Sequence, residues 1–241
     1  MKSDSSRDDQ QAMSNSFQSL FTAIDADDRA TVKAMLKKDP AVIERRLADQ
    51  SRLGSNIAHW FYAGDTALHV AAAGHRVEIA QMLLAAGANP AAAGSRRASQ
   101  PLHYAADGYL ENPLWNASRQ VATIRVLLEA GADMDAADKN GATPLHRAVR
   151  TRCAAAVKCL LEAGANPTIH NKPGSTPFHL AVQNTGRGGS GSDTARAAQR
   201  EIIEAFLQRG VSPTLVDAKG KSVLDWAQSD WIREMLTGGG D

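Results

Sequence analysis

Four histidines that recur in one local pattern are the first candidates for chemistry in this sequence. Imidazole is a common zinc ligand and a common general base, so the series raises a metal site or an acid–base centre as a hypothesis. Successive histidines are 34, 43 and 33 residues apart. If each lies in its own layer of helices, about 8 to 10 Å from the next, the ring nitrogens cannot gather at the roughly 2.1 Å that zinc requires. We therefore predict no metal site in the four copies, which are Thr66-Ala67-Leu68-His69, Gln100-Pro101-Leu102-His103, Thr143-Pro144-Leu145-His146 and Thr176-Pro177-Phe178-His179.

A glycine-rich run, Gly186-Arg187-Gly188-Gly189-Ser190-Gly191, matches the dinucleotide-binding pattern G-x-G-x-x-G. That pattern works between a strand and a helix of a βαβ unit, whereas here it follows the helical segment Leu180-Ala181-Val182-Gln183-Asn184. We interpret it as a flexible insert and predict no cofactor. The alternative is an anion held by its backbone amides, Arg187 and the helix start near Asp193. Because the sequence contains no Gly-x-Ser-x-Gly, Cys-x-x-Cys or His-Glu-x-x-His motif, we predict that the chain is not an enzyme.

The segments that must position these residues are repeated units, since an apolar pair and a glycine follow every histidine pattern. These endings are Leu83-Leu84-Ala85-Ala86-Gly87-Ala88, Leu127-Leu128-Glu129-Ala130-Gly131-Ala132, Leu160-Leu161-Glu162-Ala163-Gly164-Ala165 and Phe206-Leu207-Gln208-Arg209-Gly210-Val211. Openings and endings together closely resemble the ankyrin repeat, whose period is about 33 residues. The resemblance implies an all-α solenoid, a stack of antiparallel helix pairs with short β-hairpin fingers, in which each unit buries its apolar side against its neighbours. It also assigns each histidine to hydrogen bonds that tie its turn to the neighbouring repeat.

The repeat register predicts one continuous domain rather than several. We expect a disordered polar N-terminus at residues 1–15, a single repeat domain at residues 16–237 and a flexible tail at residues 238–241. Spacings longer than the usual period place inserts at about residues 109 to 118 and 185 to 197, and a further one between Asp39-Pro40 and Tyr62. Within the domain we predict an N-terminal cap at about 16–63, four internal repeats at about 64–219 and a C-terminal cap at about 220–237.

Composition limits the partners. The 27 Lys and Arg residues against 26 Asp and Glu residues give a formal net charge of +1, which argues against wholesale attraction to nucleic acid or membranes. No stretch approaches the roughly 18 apolar residues of a membrane helix, and the polar N-terminus lacks the apolar core of a signal peptide. The two cysteines, Cys153 and Cys159, are too far apart for a disulfide if both are helical. We expect a cytoplasmic monomer.

The resemblance implies a concave inner surface, formed by the fingers and the first helix of each pair, that binds a partner protein. Most residues predicted at the finger tips are basic, so this row should be positive although the chain is nearly neutral. A solvated face is the plain alternative, and a binder of an anionic ligand or nucleic acid is the second functional one. We expect an unidentified partner protein with an acidic segment, contacted by Tyr62, Arg96, Arg97, Tyr104, Asp107, Lys139, Asn140, Arg147, Arg150, Lys172 and Lys219.

The insert Tyr109-Leu110-Glu111-Asn112-Pro113-Leu114-Trp115-Asn116 contains more apolar side chains than an ordinary polar loop. Two interpretations remain open for it. Leu114 and Trp115 fold back onto the helices as an extra layer, or Tyr109 and Trp115 form a hot spot for a partner.

Overall fold

Helices in consecutive pairs make up most of the structure, a computed structural model that describes residues 17–48, 51–52, 56–94, 97–108, 112–184 and 192–238. The α-helices are α1 (residues 17–25), α2 (Arg29–Lys38), α3 (Ala67–Ala73), α4 (Val77–Ala85), α5 (Pro101–Ala106), α6 (Ala117–Glu129), α7 (Pro144–Arg150), α8 (Ala154–Ala163), α9 (Pro177–Ala181), α10 (Asp193–Gln208), α11 (Val223–Trp226) and α12 (Asp230–Thr237). A 3-10 helix follows α2 at Pro40–Glu44. Strands β1 (Ser51–Arg52) and β2 (Trp60–Phe61) pair antiparallel, with Ser51 opposite Phe61.

The repeated openings start helices because they satisfy amides that the first turn leaves free. At α7, the Thr143 hydroxyl accepts a hydrogen bond from the His146 backbone N–H, and His146 Nδ1 accepts one from the Thr143 backbone N–H. Pro144 occupies the first turn, where its missing N–H costs nothing. The same reciprocal capping occurs at Thr66 and at Gln100. At the other end of a pair, Gly164 closes α8 in the left-handed conformation, with φ of 100°, so the chain can turn into the next finger.

The helices form two parallel rows. In the inner row, α3, α5, α7, α9 and α11 pack consecutively; in the outer row, α2, α4, α6, α8, α10 and α12 do so. Inner and outer partners also pack on each other, and the buried leucine, isoleucine, phenylalanine and alanine side chains form one continuous apolar cluster between the rows. This is the all-α stack of helix pairs expected from the sequence. Most contacts join neighbouring layers, and the Arg119 guanidinium of α6 also reaches past one layer to Asp27, in the turn between α1 and α2, at 2.8 Å.

The fingers are turns joined to one another by backbone hydrogen bonds. Lys139 N–H donates to the Arg97 carbonyl at 2.7 Å, Lys172 N–H donates to the Asn140 carbonyl at 2.8 Å, and Ala218 N–H donates to the Gly174 carbonyl at 2.9 Å. Within the described residues the strand-like pairing of the fingers amounts to isolated bridges, such as Gly94 with Ser99. The finger tips are therefore held at fixed positions beside the inner helices.

The inserts predicted at about residues 109 to 118 and 185 to 197 each contribute residues to a longer outer helix. The helices α6 and α10 have 13 and 16 residues, whereas α4 and α8 have 9 and 10. Residues 193–197, predicted to lie in the second insert, form the first turns of α10. In the described part of the chain, no helix has the length and apolarity needed to cross a membrane.

Candidate functional site

The four repeated histidines make the hydrogen bonds that the resemblance implies. Nε2 of His69, His103, His146 and His179 lies 3.0 to 3.1 Å from a backbone carbonyl of the next finger, at Ser99, Ala142, Ser175 and Lys221. In His69, Nδ1 accepts from the Thr66 amide, so Nε2 carries the proton and donates. Burial disfavours the charged ring and lowers the pKa of His69 to about 3, and those of His103 and His146 to about 4. These neutral imidazoles tie layers together.

The finger tips present the exposed cations of the predicted surface. Lys139, Asn140, Lys172 and Lys219 are all solvent-exposed in the turns where the sequence placed them. Arg97 is exposed as well, with its guanidinium 4.2 Å from the centre of the Tyr62 ring. Arg96 lies outside the described residues. Arg150, at the end of α7, has 63% of its side chain exposed.

Three residues predicted to contact a partner are instead buried within the stack. Tyr104 is 1% exposed, Asp107 is 6% exposed and Arg147 is 5% exposed. Sequence register placed them correctly on the inner helices α5 and α7, but neighbouring groups cover them. Their predicted contact with a partner stays a prediction: Tyr104 and Asp107 are covered, whereas Arg147, although almost wholly buried, is among the residues that line one of the open depressions described below.

Arg147 is the centre of a buried polar network between two layers. Its guanidinium donates to Asp107 Oδ2 at 2.8 Å, to Asp138 Oδ2 at 3.0 Å and to Ser99 Oγ at 2.6 Å. Burial alone would raise the pKa of Asp107, but the hydrogen bond to His59 and the charge of Arg147 hold that pKa lower, at about 2. Arg150 approaches the same carboxylate, with Nη2 3.6 Å from Asp107 Oδ1. These bonds hold α7 in place, and its last residue, Arg150, extends into solvent.

Tyr104 is covered by a short extended stretch, residues 56–62, which we call the covering segment. His59 and Phe61 pack on the Tyr104 ring, with centroids 4.6 and 6.1 Å away. The Tyr104 hydroxyl donates to Asp65 Oδ2 at 2.7 Å, and this carboxylate also accepts the Tyr62 amide at 2.8 Å. Sequence reasoning assigned the region to capping the first repeat, but no pattern indicated that it reaches α5.

The covering segment is fixed at its other end by the N-terminal cap. Asp25, at the end of α1, accepts from the Ile57 amide at 3.0 Å and from Asn56 Nδ2 at 3.1 Å. The Ile57 side chain lies against Gly74 at the end of α3, where an added Cβ would come within 2.5 Å of it. The segment thus follows the inner surface from the ends of α1 and α3 to the first finger, and it closes that part of the surface.

Two adjoining depressions remain open in the C-terminal half of the inner surface. The first has a volume of about 560 Å³ and lies between the fingers at Asn140 and Lys172, with Leu180 and Arg150 beside them. The second has a volume of about 580 Å³ and is lined by Lys219, Lys221, Trp226 and Gln183 among others. Pro173 belongs to both. The structure therefore brings together Asn140, Arg150, Lys172 and Lys219 of the predicted set around the two depressions. Tyr62 and Arg97 do not line them and lie further towards the covered end.

The first insert folds back onto the helices in its described part. Trp115 is half-buried against the core, and its Nε1–H donates to Gln120 Oε1 at 3.2 Å. Leu114 is 61% exposed. Gln120 in turn donates to the carbonyls of Ala105, Ala106 and Asp107 at the end of α5. Tyr109 and the glycine-rich run lie outside the described residues, so neither the hot spot at Tyr109 nor the anion site near Arg187 is tested.

Groups that could hold a metal are not found among the described residues, where no cluster of three or more His, Cys, Asp or Glu side chains has a suitable arrangement. Cys153 and Cys159 are free and buried, and burial raises the pKa of both thiols. The chemistry that remains on the inner surface is that of charged, amide and apolar side chains. Such a surface can bind another molecule.

Stacked helix pairs joined through hydrogen-bonded fingers define the class of helical repeat proteins. Comparison with family models identifies the repeat: a model of ankyrin repeats in three copies matches residues 99–171 and 114–217, and a model of a single ankyrin repeat matches residues 63–95. The chain belongs to the ankyrin-repeat family, whose members are generally protein-interaction modules. None of the curated proteins compared with the chain matches it.

Proposed function

We propose that this chain is a non-catalytic interaction module that binds a partner protein on the open half of its inner surface. The observation that carries the proposal is the pair of adjoining depressions, framed by rigid fingers and floored by inner helices. Rigid walls reduce the ordering cost of binding, because the side chains at the contact are already positioned. The contact residues we propose are Asn140, Arg150, Lys172 and Lys219, with Lys139 at the rim.

The remaining finger residues, Tyr62, Arg96 and Arg97, belong to a second contact area at the covered end in this proposal. We further propose that residues 16–237 act as one binding domain in a cytoplasmic monomer. Nucleic acid is a weaker candidate partner, since the net charge of the chain is only +1 and counterion release on the phosphate backbone requires many cations.

Site-specific photo-crosslinking in the native cell tests the proposal. A photoreactive benzoyl-phenylalanine replaces Gln183, which lines the second depression, or Gln81, which is exposed on the outer helix α4. We expect one defined protein adduct at position 183 and none of the same mass at position 81. Mass spectrometry identifies the partner, and titration of the purified partner against the unlabelled chain verifies binding.

Adducts at position 81 alone would place the interaction on the outer helices and contradict the proposal. An adduct at position 183 that disappears after nuclease treatment would favour the nucleic-acid alternative. Loss of binding in proportion to the number of cations removed, equal for any polyanion, would do the same.

A further inference from the structure

The residue that follows the repeated histidine differs in solvent exposure from one end of the inner surface to the other. Val70, Tyr104 and Arg147 occupy this position in the first three copies, and all are buried. Leu180 follows His179, and Trp226 occupies the equivalent position of the last unit, where Asp225 replaces the histidine; both are only half-buried. One depression contains Leu180 and the other contains Trp226. The open half therefore offers two apolar contacts one repeat apart.

Cations surround these two apolar side chains. Lys172, Lys219 and Lys221 are exposed, and in the described part of the chain no carboxylate lies within ion-pair distance of their ammonium groups. Arg150 has one carboxylate at 3.6 Å and is otherwise exposed. The depressions therefore have four cations available at their rims.

The acidic residues of the same depressions are committed to internal bonds. Asp138 pairs with Arg147 and accepts the Asn140 and Ala142 amides. Asp217 accepts the Lys219 and Lys221 amides and the Trp226 indole N–H. Asp225 caps α11 through Ser222. Arg147 neutralises Asp138, whereas Asp217 and Asp225 bond to neutral groups and keep their charge. The residues that line the two depressions still include five cations (Arg147, Arg150, Lys172, Lys219 and Lys221) against these three carboxylates, so the field that a ligand meets is positive on balance.

The covering segment shows what conformation this type of surface accommodates. Its residues Ile57, His59 and Phe61 are buried, whereas Trp60 between them is exposed, which is the alternation of an extended chain. An extended peptide rises about 3.3 Å per residue, so about three residues span the 8 to 10 Å between neighbouring layers. A short extended peptide can therefore reach both open depressions.

We propose that the open half of the inner surface binds an extended acidic segment of a partner protein, with apolar side chains on Leu180 and Trp226 and carboxylates on Arg150, Lys172, Lys219 and Lys221. This inference rests on the proposed function and specifies the chemistry of the partner. Acidic residues about three positions apart would meet successive cation groups, and the apolar side chains between them would enter the depressions.

Selection from a phage-displayed library of random peptides, each about ten residues long and so able to span about 33 Å, tests the inference on the full chain. Selected peptides are synthesised with a fluorophore, and their binding is measured by polarisation. The variants are Lys172→Glu and Lys219→Glu, with Lys37→Glu as the matched control, since Lys37 is exposed on α2 and the change in net charge is the same. We expect enrichment of peptides that combine Asp or Glu with an apolar residue, binding about 10-fold or more weaker in each inner-surface variant, and unchanged binding in the control.

Other outcomes overturn the inference. Peptides that require Lys172 and Lys219 but show no acidic enrichment would disprove the acidic partner and leave the proposed function standing. Equal weakening by all three variants, with equal competition by heparin, would show nonspecific attraction of polyanions. Failure to enrich any peptide would exclude a short extended ligand, and the photo-crosslinking experiment would still decide whether a folded partner binds there.

Discussion

Arg147 Nη1 donates to Asp107 Oδ2 at 2.8 Å, across the interface between the layer of α5 and the layer of α7. Both side chains are almost wholly buried, so the pair joins two repeats inside the stack. The repeat register predicted Arg147 on the inner surface, and in the structure this arginine joins two layers. The residue available to a partner is Arg150, one turn further along α7.

Removal of Arg147 should destabilise the protein strongly. Arg147→Ala leaves Asp138 without its cation and Asp107 with only Arg150 at 3.6 Å, and we expect the free energy of unfolding to fall by about 3 to 5 kcal/mol. Urea denaturation followed by circular dichroism measures it. The control is Arg150→Ala, which removes an exposed arginine from the same helix and should change stability by no more than about 0.5 kcal/mol. Similar losses in both variants would show that the buried ion pairs of Arg147 do not explain its contribution to stability.

Loss of a repeated histidine should weaken the contact between neighbouring layers. In His146→Ala, the buried Thr143 amide loses its partner and the Ser175 carbonyl keeps only the Asn171 amide. We expect a loss of about 1 to 3 kcal/mol in the free energy of unfolding. Chemical denaturation is the measurement, with His170→Ala as the control, because the His170 ring lies in an exposed position, where its Nε2 is hydrogen-bonded to the Val216 carbonyl. A loss at His170 as large as that at His146 would contradict this account.

Stability should fall as the pH decreases from 7 to 5. The folded protein holds His69, His103 and His146 at pKa values of about 3 to 4, whereas the unfolded chain binds protons near pH 6.5. The unfolded state therefore carries more protons between pH 6.5 and 4, and each histidine can contribute up to about 1.4 kcal/mol per pH unit in that window. Asp107, whose pKa is lowered from 3.8 to about 2, contributes stability that is fully present between pH 7 and 5 and is lost only as the pH falls from about 4 to 2, so it adds no slope in this range.

Urea midpoints at pH 7, 6 and 5 measure this dependence. The control is His146→Gln, which lacks one of the titrating rings and should have a shallower slope than the parent. Stability that stays constant or increases on acidification to pH 5 would refute the assignment of neutral buried histidines.

Gln120 should be essential to the repeat that carries the first insert. Its Nε2 lies within hydrogen-bonding distance of three carbonyls at the end of α5. Gln120→Leu removes this donor from the Ala106 and Asp107 carbonyls and leaves the Ala105 carbonyl with His75 alone. We expect the free energy of unfolding to fall by about 1 to 3 kcal/mol. Thermal and urea denaturation measure the effect. Gln81→Leu makes the same replacement at an exposed position of α4 and should hardly change the free energy of unfolding. A loss as large as that of Gln120→Leu would contradict the role assigned to Gln120.

The repeating features of the fold could be read from local sequence because each depends on residues close in the chain. Thr143, Pro144 and His146 lie within one helical turn, and their capping bonds form wherever that turn forms. The finger turns at Lys139 and Lys172 follow from the same register. The histidine bonds to the next layer were expected from the resemblance to the ankyrin repeat, and the structure has them.

The non-repeating contacts could not be read in this way. Gln120 and Gln199 both donate to carbonyls at the end of the preceding inner helix, at Asp107 and at Ala181 among others, yet neither belongs to the repeat pattern. Each follows an insert, and an insert has no counterpart in the other copies from which its contacts could be inferred. The bond between the Asp25 carboxylate and the Ile57 amide of the covering segment joins residues 32 positions apart, and it too lies outside the repeat pattern.

Sequence alone determined that the chain stacks helix pairs and exposes a row of basic finger tips, because short-range capping and the period of the apolar residues specify both. Tertiary structure alone decided which inner-surface residues remain accessible. Tyr104 and Arg150 occupy neighbouring helices of the same row, but the covering segment buries the first and leaves the second in solvent. Accessibility depends on which distant segment packs over a residue, and that packing is a property of the whole chain rather than of its local pattern.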